Sequence, residues 1–440
     1  MTPPGAGPSA SATSRRGVAR ASSWRPPALG VPTTGDAPLE PRTWVRALAA
    51  ACLVLLGMRF TLPQSLQVGF VVALVMLPVW WAHLRRQRGG TAFVALGLLA
   101  TAAGLWLGVA NAADHETDPS EVIPGTVFLV GTVLSVGLFV WGRDVLTSHR
   151  AALWFGVGLA LGFTPDTTLF ATNPWKFGFA LPVTVILLAL AARFGRRWEL
   201  GALATLIVVA ALNDSRSAFG LLLLAALLVF AQVAIVRPHR RPSAVAVLVG
   251  LGGLGVAVYQ LGQALILDGY LGVTTQARSL EQLRQSGSLI LGGRPELAAT
   301  FALMEHHPWG FGTGSVPSPQ DVQIAKEGMN TIGYQPNNGY VERFMFGGHV
   351  ELHSVFGDLW AQSGIVGLLF VATAVVVLAV GVVRRLAEGT ASGLLLYASA
   401  QSLWNVFFAP FYTSFPTLVL ALALAFLPRP EPGVPHAPRR

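Results

Sequence analysis

The sequence predicts an all-α fold, a polytopic integral membrane protein with about 12 transmembrane helices and one large outer loop that contains short helices. Two observations support this class. Hydrophobic residues make up 53% of the 440 residues and charged residues 12%, whereas an ordinary soluble domain is about 25% charged. The apolar residues also form runs that are long enough to cross a bilayer. This composition excludes a soluble enzyme and a chain that is disordered along its length.

Twelve apolar runs, separated by short polar segments, are the predicted transmembrane helices. In order, they are residues 42–60, 66–84, 91–110, 123–142, 150–165, 176–193, 199–213, 217–236, 243–267, 355–383, 391–409 and 413–427. Because lipid offers the backbone no hydrogen-bond partner, each run has to be helical. The predicted organisation is a disordered cytoplasmic tail at 1–40, helices one to nine within 41–267, an outer loop at 268–354, helices ten to twelve within 355–427, and a second cytoplasmic tail at 428–440.

The distribution of arginine orients the predicted helices. Loops on one side hold thirteen arginines; these loops are residues 83–90, 143–150, 193–199, 237–242 and 384–390. The short loops on the other side hold only Lys176 and Arg216 as basic residues. Because basic loops stay in the cytoplasm, we expect both termini to be cytoplasmic. The net charge of +9 is therefore explained by topology and anionic lipid, and we expect no nucleic-acid partner.

Residues 268–354 form the one long connection, on the predicted outer side. A connection of this length in a compact domain is usually functional. Apolar residues recur at helical spacing over 295–306, which predicts a short helix within the loop. The chain has a single cysteine, Cys52, so neither an intrachain disulfide nor a cysteine metal site is possible.

Two arginines on the outer side are candidates for binding an anion. Arg216 lies in NDSRSAFG at the outer end of the eighth predicted helix, where a helix N-terminus favours negative ligands. Arg294 lies in GGRPEL, and a guanidinium there can bind two phosphate oxygens at once. The alternative for Arg216 is an interfacial arginine whose guanidinium extends into the aqueous phase. The alternative for Arg294 is an ordinary charged residue on the surface of the loop.

His353 precedes the tenth predicted helix, at the membrane surface. A histidine there is a candidate general base near neutral pH, and an interfacial histidine without a chemical role is the alternative. His349 lies four residues earlier and shares a helical face with His353 if this stretch is helical. Zinc binding by this pair with His306 or His307 is a further alternative, although HVELH differs from the zinc motif HExxH.

Acidic residues gather in the first large outer loop; they are Asp114, Glu116, Asp118 and Glu121, with His115 among them. They fit an ordinary acidic outer loop, or the carboxylates of a lipid-sugar glycosyltransferase. The chain has no DxD triplet, so a nucleotide-sugar site with a metal has no support. The glycines of GLGGLG at 250–255 lie inside a predicted helix, where we expect them to pack against a neighbouring helix.

Three stretches resemble the bacterial O-antigen ligase and O-antigen polymerase superfamily. They are NDSRSAFGLLLLAAL from Asn213, RPELAATFALMEHHPWGFGTGS from Arg294, and HSVFGDLWAQSGIVGLLF from His353. Their order, spacing and location in the outer loop match the family. The sequence departs from the family at Ser354, where asparagine is frequent, and at Gln362, where an acidic residue is frequent.

The resemblance implies an integral membrane glycosyltransferase of the bacterial inner membrane, with its active site on the outer side. It would transfer a glycan from an undecaprenyl-diphosphate carrier to an acceptor hydroxyl, without a metal or other cofactor. The implied partners are the lipid-linked glycan donor, a glycan or lipid acceptor and membrane lipid. Arg216 and Arg294 would bind the diphosphate, and His353 would be the catalytic base.

Two other functions remain open at this stage. One is a glycosyltransferase that uses polyprenyl-monophosphate sugars, with the carboxylates of residues 114–121 in the active site. The other is a glycolipid transporter or flippase without enzymatic activity, although no internal repeat of the kind found in transporters is evident. The sequence does not distinguish a ligase from a polymerase, because these differ only in the acceptor.

Overall fold

The computed structural model describes residues 42–165, 167–234, 242–270, 272–347 and 349–430. The predicted tail at 1–40, the last ten residues of the tail at 428–440 and most of the basic loop at 237–242 lie outside the described residues.

The described residues are helical and contain no strand beyond three isolated bridges. The helices are α1 (Thr43–Met58), α2 (Val68–Val75), α3 (Leu77–Leu84), α4 (Gly90–Ala110), α5 (Pro119–Leu146), α6 (Ser148–Leu161), α7 (Thr168–Thr172), α8 (Ala180–Phe194), α9 (Arg196–Leu212), α10 (Arg216–Ala234), α11 (Ala244–Leu267), α12 (Val273–Ser286), α13 (Leu289–Gly293), α14 (Glu296–His306), α15 (Pro319–Asn330), α16 (Val355–Ala387), α17 (Gly393–Phe408) and α18 (Phe411–Ala425). Single helical turns lie at Pro63–Ser65, Trp175–Phe179 and Val341–Met345.

Six helices in the described part of the chain are long and apolar enough to cross a membrane. They are Gly90–Ala110, Pro119–Leu146, Trp175–Phe194, Arg216–Ala234, Ala244–Leu267 and Val355–Ala387. The other predicted runs are also helical, but their helices are shorter, and the run at 66–84 is divided at Met76. Pro78 is the second residue of the second half, where its missing N–H would interrupt a continuous helix. The all-helical membrane fold is confirmed, whereas the count of 12 spans is not.

The long helix α5 lies at the centre of the bundle and packs against α1, α3, α4, α6 and α18. Glycines allow this close packing. A Cβ at Gly137 would lie 2.2 Å from the Trp80 ring, and a Cβ at Gly131 would lie 2.4 Å from the Phe70 ring. Because lipid tails are as apolar as leucine, such small residues let helices pack closely where hydrophobicity alone cannot bring them together.

Helix α11 packs differently from the predicted pattern. Its glycines Gly250, Gly252, Gly253 and Gly255 lie inside the helix, but a Cβ at any of them would meet no atom of the described residues within 4 Å. The prediction that they pack against a neighbouring helix is therefore wrong. Without side chains, they leave an open face along α11.

The outer loop folds into the helices α12 to α15 and has a small core of its own. Helix α14 occupies the stretch predicted to be helical, and it packs against α15 through a buried cluster that includes Leu303, Ile324 and Met329. Pro295 precedes α14 and α14 begins at Glu296, so the proline lies one residue outside the helix.

A break in α16 receives the outer loop. Gly364 has φ 59° and ψ −145° inside this helix, a combination that only glycine adopts readily. Three residues before the break, the Ala361 carbonyl oxygen accepts hydrogen bonds from the backbone N–H groups of Phe311 (2.8 Å) and Gly312 (3.0 Å). The Trp360 indole donates to the Pro308 carbonyl oxygen at 3.3 Å. The loop after α14 is thereby fixed to α16.

We expect Gly364→Ala to destabilise the protein by about 1–3 kcal/mol, the usual cost of a forced backbone conformation. A Cβ at this position would also lie 2.3 Å from the Trp309 carbonyl oxygen. Thermal unfolding in detergent measures the effect. Gly201→Ala in α9 is the matched control, because its Cβ would meet no atom within 4 Å and alanine favours helix. Equal midpoints for the two variants would contradict this interpretation of the break.

Candidate functional site

A cavity of about 370 Å³ brings four basic side chains together. We call it the cationic cavity, and its basic residues are Lys176, Arg216, Arg278 and Arg294. Asp214 is the one acidic residue among the described residues that line it. Its other walls are largely apolar and come from α10, α11 and Trp404 of α17. A charged end beside an apolar wall suits a ligand with an anionic head and a lipid tail.

Arg216 is fixed by the turn that precedes its helix. It is the first residue of α10, after a turn in which Asp214 has the positive φ of 49°. The guanidinium donates a hydrogen bond from Nη1 to Ser279 Oγ of α12 at 2.7 Å. Asp214 in turn lies 4.0 Å from the Arg278 guanidinium. The membrane helix α10 and the outer-loop helix α12 are therefore joined at this site.

Lys176 reaches the same cavity through the adjacent turn. The Asn173 side chain donates to the Asn213 carbonyl oxygen at 2.7 Å, and so it ties the segment before α8 to the turn before α10. From the sequence, Lys176 was notable only as a basic residue in a predicted outer loop. Neither Lys176 nor Arg278 was a predicted site residue. Because basic residues are rare in the short loops predicted to be outside the cytoplasm, the presence of Lys176 there was the signal that could have identified it as a site residue.

Arg294 lies between α13 and α14, and its side chain is partly buried. Within the described residues its guanidinium makes no hydrogen bond and no ion pair, so its donors are available to a ligand. Glu296 begins α14 two residues later and is buried, with 5% of its surface exposed. Its carboxylate accepts a hydrogen bond from the Tyr340 hydroxyl.

His353 does not line the cationic cavity. Its neighbour is Tyr340. The imidazole ring centre is 6.2 Å from that of Tyr340, whose hydroxyl is bonded to Glu296 beside Arg294. Burial and the nearby Glu296 carboxylate raise the pKa of Tyr340 above its usual value. The phenol therefore stays protonated at neutral pH and remains a donor to Glu296.

The segment that carries His353 is not helical, so His349 and His353 do not share a helical face. His353 has φ 53°, an uncommon conformation for this residue type. The Asp358 carboxylate holds the segment in place, because it accepts 2.7 Å hydrogen bonds from the backbone N–H groups of Leu352 and Phe411. Asp358 was not among the predicted site residues.

A second cavity, of about 390 Å³, has Glu351 among its lining residues. We call it the acidic cavity, and its charged and polar side chains include Glu121, Glu351, Asp358, His349, Gln362 and Tyr412. Glu351 belongs to this cavity and also approaches His353, with 3.7 Å between Oε1 and the imidazole Nε2. It therefore lies between His353 and the acidic cavity.

Two of the four acidic residues in the first outer loop, and His115 among them, have side-chain partners. Asp118 caps α5 by accepting a hydrogen bond from the Ser120 backbone N–H at 2.8 Å, and Glu121 lies 3.9 Å from His349. His115 contacts Asp321 of α15. In the described part of the chain, one group can hold a metal ion, formed by His115, His307 and Asp321. The zinc site considered for His349 and His353 with His306 or His307 is not formed there.

Residues 201–372 match the family model described as O-antigen ligase. This range contains the three segments that carry the resemblance noted above, and the match confirms that resemblance. It implies an O-antigen-ligase-like membrane glycosyltransferase, and with the apolar helices it indicates a multi-pass membrane protein. Neither the curated proteins nor the solved structures give a match to the chain.

We expect His349 to make stability depend on pH. The hydrogen bond to Glu351 raises its pKa above the usual value, against the effect of burial, and Glu121 adds to the increase. This stabilisation is complete below the unfolded-state pKa of about 6.5 and is lost as pH rises through the higher folded-state pKa. The imidazole is half exposed, so solvent screening keeps the effect small.

The measurement compares unfolding midpoints of the wild-type protein and His349→Gln between about pH 5.5 and about pH 9, roughly one unit below and two and a half units above the usual histidine pKa. The difference should be largest at the acid end. His306→Gln is the control, because among the described residues the His306 imidazole bonds only to the Ala302 carbonyl oxygen of its own helix. A midpoint difference that stays constant with pH would contradict the assignment.

Proposed function

We propose that the protein transfers a glycan from a polyprenyl-diphosphate carrier, undecaprenyl diphosphate in bacteria, to an acceptor hydroxyl at the outer face of the bacterial inner membrane. One observation carries the proposal: Arg216 and Arg294, which are distant in the sequence, line one cavity with Lys176 and Arg278. In the predicted topology, this cavity opens outside the cytoplasm.

The cationic cavity supports recognition of a diphosphate. Guanidinium groups bind phosphate oxygens in pairs, and charge-assisted hydrogen bonds are roughly twice as strong as neutral ones. Arg294 has its donors available, while Ser279 and Asp214 hold Arg216 and Arg278 in position. The open glycine face of α11 and the apolar residues of α10 offer a surface for the polyprenyl chain.

The proposed reaction is a substitution at the anomeric carbon of the donor sugar. The acceptor oxygen forms a bond to that carbon while the bond from carbon to the diphosphate oxygen breaks. The acceptor proton passes to a base, and the electron pair of the broken bond leaves with the diphosphate. Because charge develops on the leaving group, fixed cations lower the barrier. The transition state at the sugar resembles an oxocarbenium ion, as in glycoside hydrolysis.

The surroundings of His353 suit the role of that base. Its Nδ1 lies 3.3 Å from the Glu351 carbonyl oxygen. A carbonyl oxygen only accepts, so Nδ1 carries the proton in the neutral ring and Nε2 keeps the lone pair. The Glu351 carboxylate, 3.7 Å from Nε2, would stabilise the imidazolium that forms when the proton is taken.

We infer that the acceptor enters through the acidic cavity. Glu351 lines this cavity and also approaches His353, and the two cavities share no lining residue within the described ranges, so the acceptor would occupy a space separate from that of the donor. Carboxylates, the Gln362 amide and the Tyr412 ring are groups that bind sugar hydroxyls and sugar faces. A ligase and a polymerase would differ in what occupies this cavity. The reaction as proposed needs no metal or other cofactor.

We expect Arg294→Ala and Arg216→Ala to lower kcat/KM for the donor by at least about tenfold, the order expected when a bond to a charged group is lost. Arg294→Lys should recover part of the loss because it keeps the charge but loses the paired geometry. The assay uses purified protein with a polyprenyl-diphosphate glycan and measures product. Arg284→Ala is the matched control, since Arg284 lies in the same loop with 78% of its side chain exposed.

We expect His353→Ala to lower kcat by about 10²–10⁴, the usual contribution of a general base, and to leave donor KM nearly unchanged. His306→Ala, an exposed histidine in α14, is the control and should retain activity. Full transfer by the His353, Arg294 and Arg216 variants alike would refute the assignment of the site.

The same assay separates the two other functions. Dependence on Mg²⁺ or Mn²⁺ together with loss of activity in Asp114→Asn would favour a transferase that uses polyprenyl-monophosphate sugars. Movement of the lipid-linked glycan across vesicles without a covalent product would favour a transporter or flippase.

A further inference from the structure

Three side chains from separate segments meet on the predicted outer side, and none of them lines either cavity. His115 follows α4, His307 follows α14, and Asp321 lies in the first turn of α15. Their ligand atoms all lie within 4.8 Å of one another. None of the three residues lines the cationic cavity or the acidic cavity. The proposed glycosyl transfer therefore makes no use of this group.

The distances within the group are those of atoms that can share one ion. Asp321 Oδ2 lies 3.0 Å from His115 Nε2, and Asp321 Oδ1 lies 2.9 Å from His307 Nε2. Asp321 has 1% of its side chain exposed and His115 has 7%, whereas His307 has 29%. Two of the three side chains are thus buried, and the third, His307, is partly exposed to solvent.

One contact in the group is close but does not form a hydrogen bond. His307 Nε2 and Asp321 Oδ1 are 2.9 Å apart, yet each is buried without a hydrogen-bond partner in the described structure. Buried polar atoms nearly always have partners, because an unsatisfied one is costly. A metal ion placed between a nitrogen lone pair and a carboxylate oxygen would satisfy both atoms at once.

The surrounding structure holds the three side chains without the need for an ion. Ser318 donates to Asp321 Oδ2 from its backbone N–H and from its hydroxyl, both at 2.7 Å. The Phe311 ring packs on both imidazoles, with ring centres 5.2 Å from His115 and 4.8 Å from His307. A site held in this way needs little reorganisation to bind a ligand.

The first outer loop is joined to the same frame by its backbone. The Val316 N–H donates to the Glu116 carbonyl oxygen at 2.8 Å, and the Asp118 N–H donates to the Gly314 carbonyl oxygen at 2.8 Å. His115 is therefore held close to the two ligands of the large loop by bonds on its C-terminal side.

We propose that His115, His307 and Asp321 bind a divalent transition metal, with Zn²⁺ as the best match. Two imidazole nitrogens and one carboxylate oxygen are a ligand set that Zn²⁺ accepts, with water at a fourth position on the open side of His307. Mg²⁺ and Ca²⁺ prefer sites built of oxygen atoms alone. The expectation that no metal takes part in glycosyl transfer is unaffected, because this site lies outside both cavities.

The ion would join the two outer loops around one segment. Residues 308–315 lie between His307 and the helix that carries Asp321, and Gly310, Gly312 and Gly314 in this segment have positive φ. Gly312, Thr313, Gly314 and Ser315 line the acidic cavity. A metal that fixes both ends of the segment would stabilise the wall of that cavity.

The test uses the full-length protein in detergent, with any polyhistidine tag removed, treated with chelator and then dialysed against Zn²⁺. We expect one Zn²⁺ per chain by mass spectrometry of the metal content, and a higher unfolding midpoint with Zn²⁺ than with Mg²⁺. Co²⁺ in place of Zn²⁺ should give the visible absorption of a tetrahedral site with nitrogen and oxygen ligands. Less than half an equivalent of Zn²⁺, or no change in midpoint, would overturn the proposal.

Single substitutions test which side chains bind the metal ion. His307→Ala and Asp321→Asn should weaken Zn²⁺ binding by more than about tenfold. Asparagine keeps an oxygen for the bonds from Ser318, so α15 stays capped. His306→Ala, next in sequence to His307 and exposed, should retain binding. Equal loss of Zn²⁺ from the His306 and His307 variants would overturn the site. If His307→Ala fails to fold, the Asp321→Asn protein and the wild-type midpoints decide the question.

Discussion

The docking of the outer loop on the break in α16 is the contact on which the rest of the site depends. The Ala361 carbonyl oxygen, three residues before the break at Gly364, accepts hydrogen bonds from two backbone N–H groups of the loop. In lipid or at its surface such a carbonyl needs a partner, and the loop provides it. Because α14 leads directly into this contact, the same docking places Arg294 and Glu296 near the start of α16, where His353 lies.

Electrostatics explains why the cationic cavity suits an anion. Four basic side chains near an apolar wall repel one another, and Asp214 offsets only part of this charge. Ser279 and Asp214 hold Arg216 and Arg278 by contacts between α10, its preceding turn and α12, while Arg294 keeps its donors available. A bound diphosphate would remove the repulsion and satisfy these donors. The cavity is therefore complementary to a charge that the protein does not itself supply.

Helices and rare charged residues, which depend on the local sequence pattern, were predicted from the sequence. Residues whose role comes from contacts distant in the sequence were not. Each apolar run predicted from the sequence is helical in the structure, six of them in helices long enough to cross a membrane, and helical spacing predicted α14. Arg216 and Arg294 stood out because basic residues are rare on the outer side. Tyr340 and Asp358 have no such signal, since their importance comes from the Glu296 carboxylate and from the Leu352 and Phe411 backbones.

The same reasoning explains the errors. The glycines of α11 look like packing glycines, but whether a neighbour covers them is decided by the rest of the bundle. Four-residue spacing suggested a shared face for His349 and His353, yet the intervening backbone is not helical, and Asp358 holds it through the Leu352 N–H. That constraint gives Glu351 its position between the two histidines. A short irregular segment, which no helical pattern encodes, thus places His353 beside the Glu351 carboxylate and the Tyr340 ring.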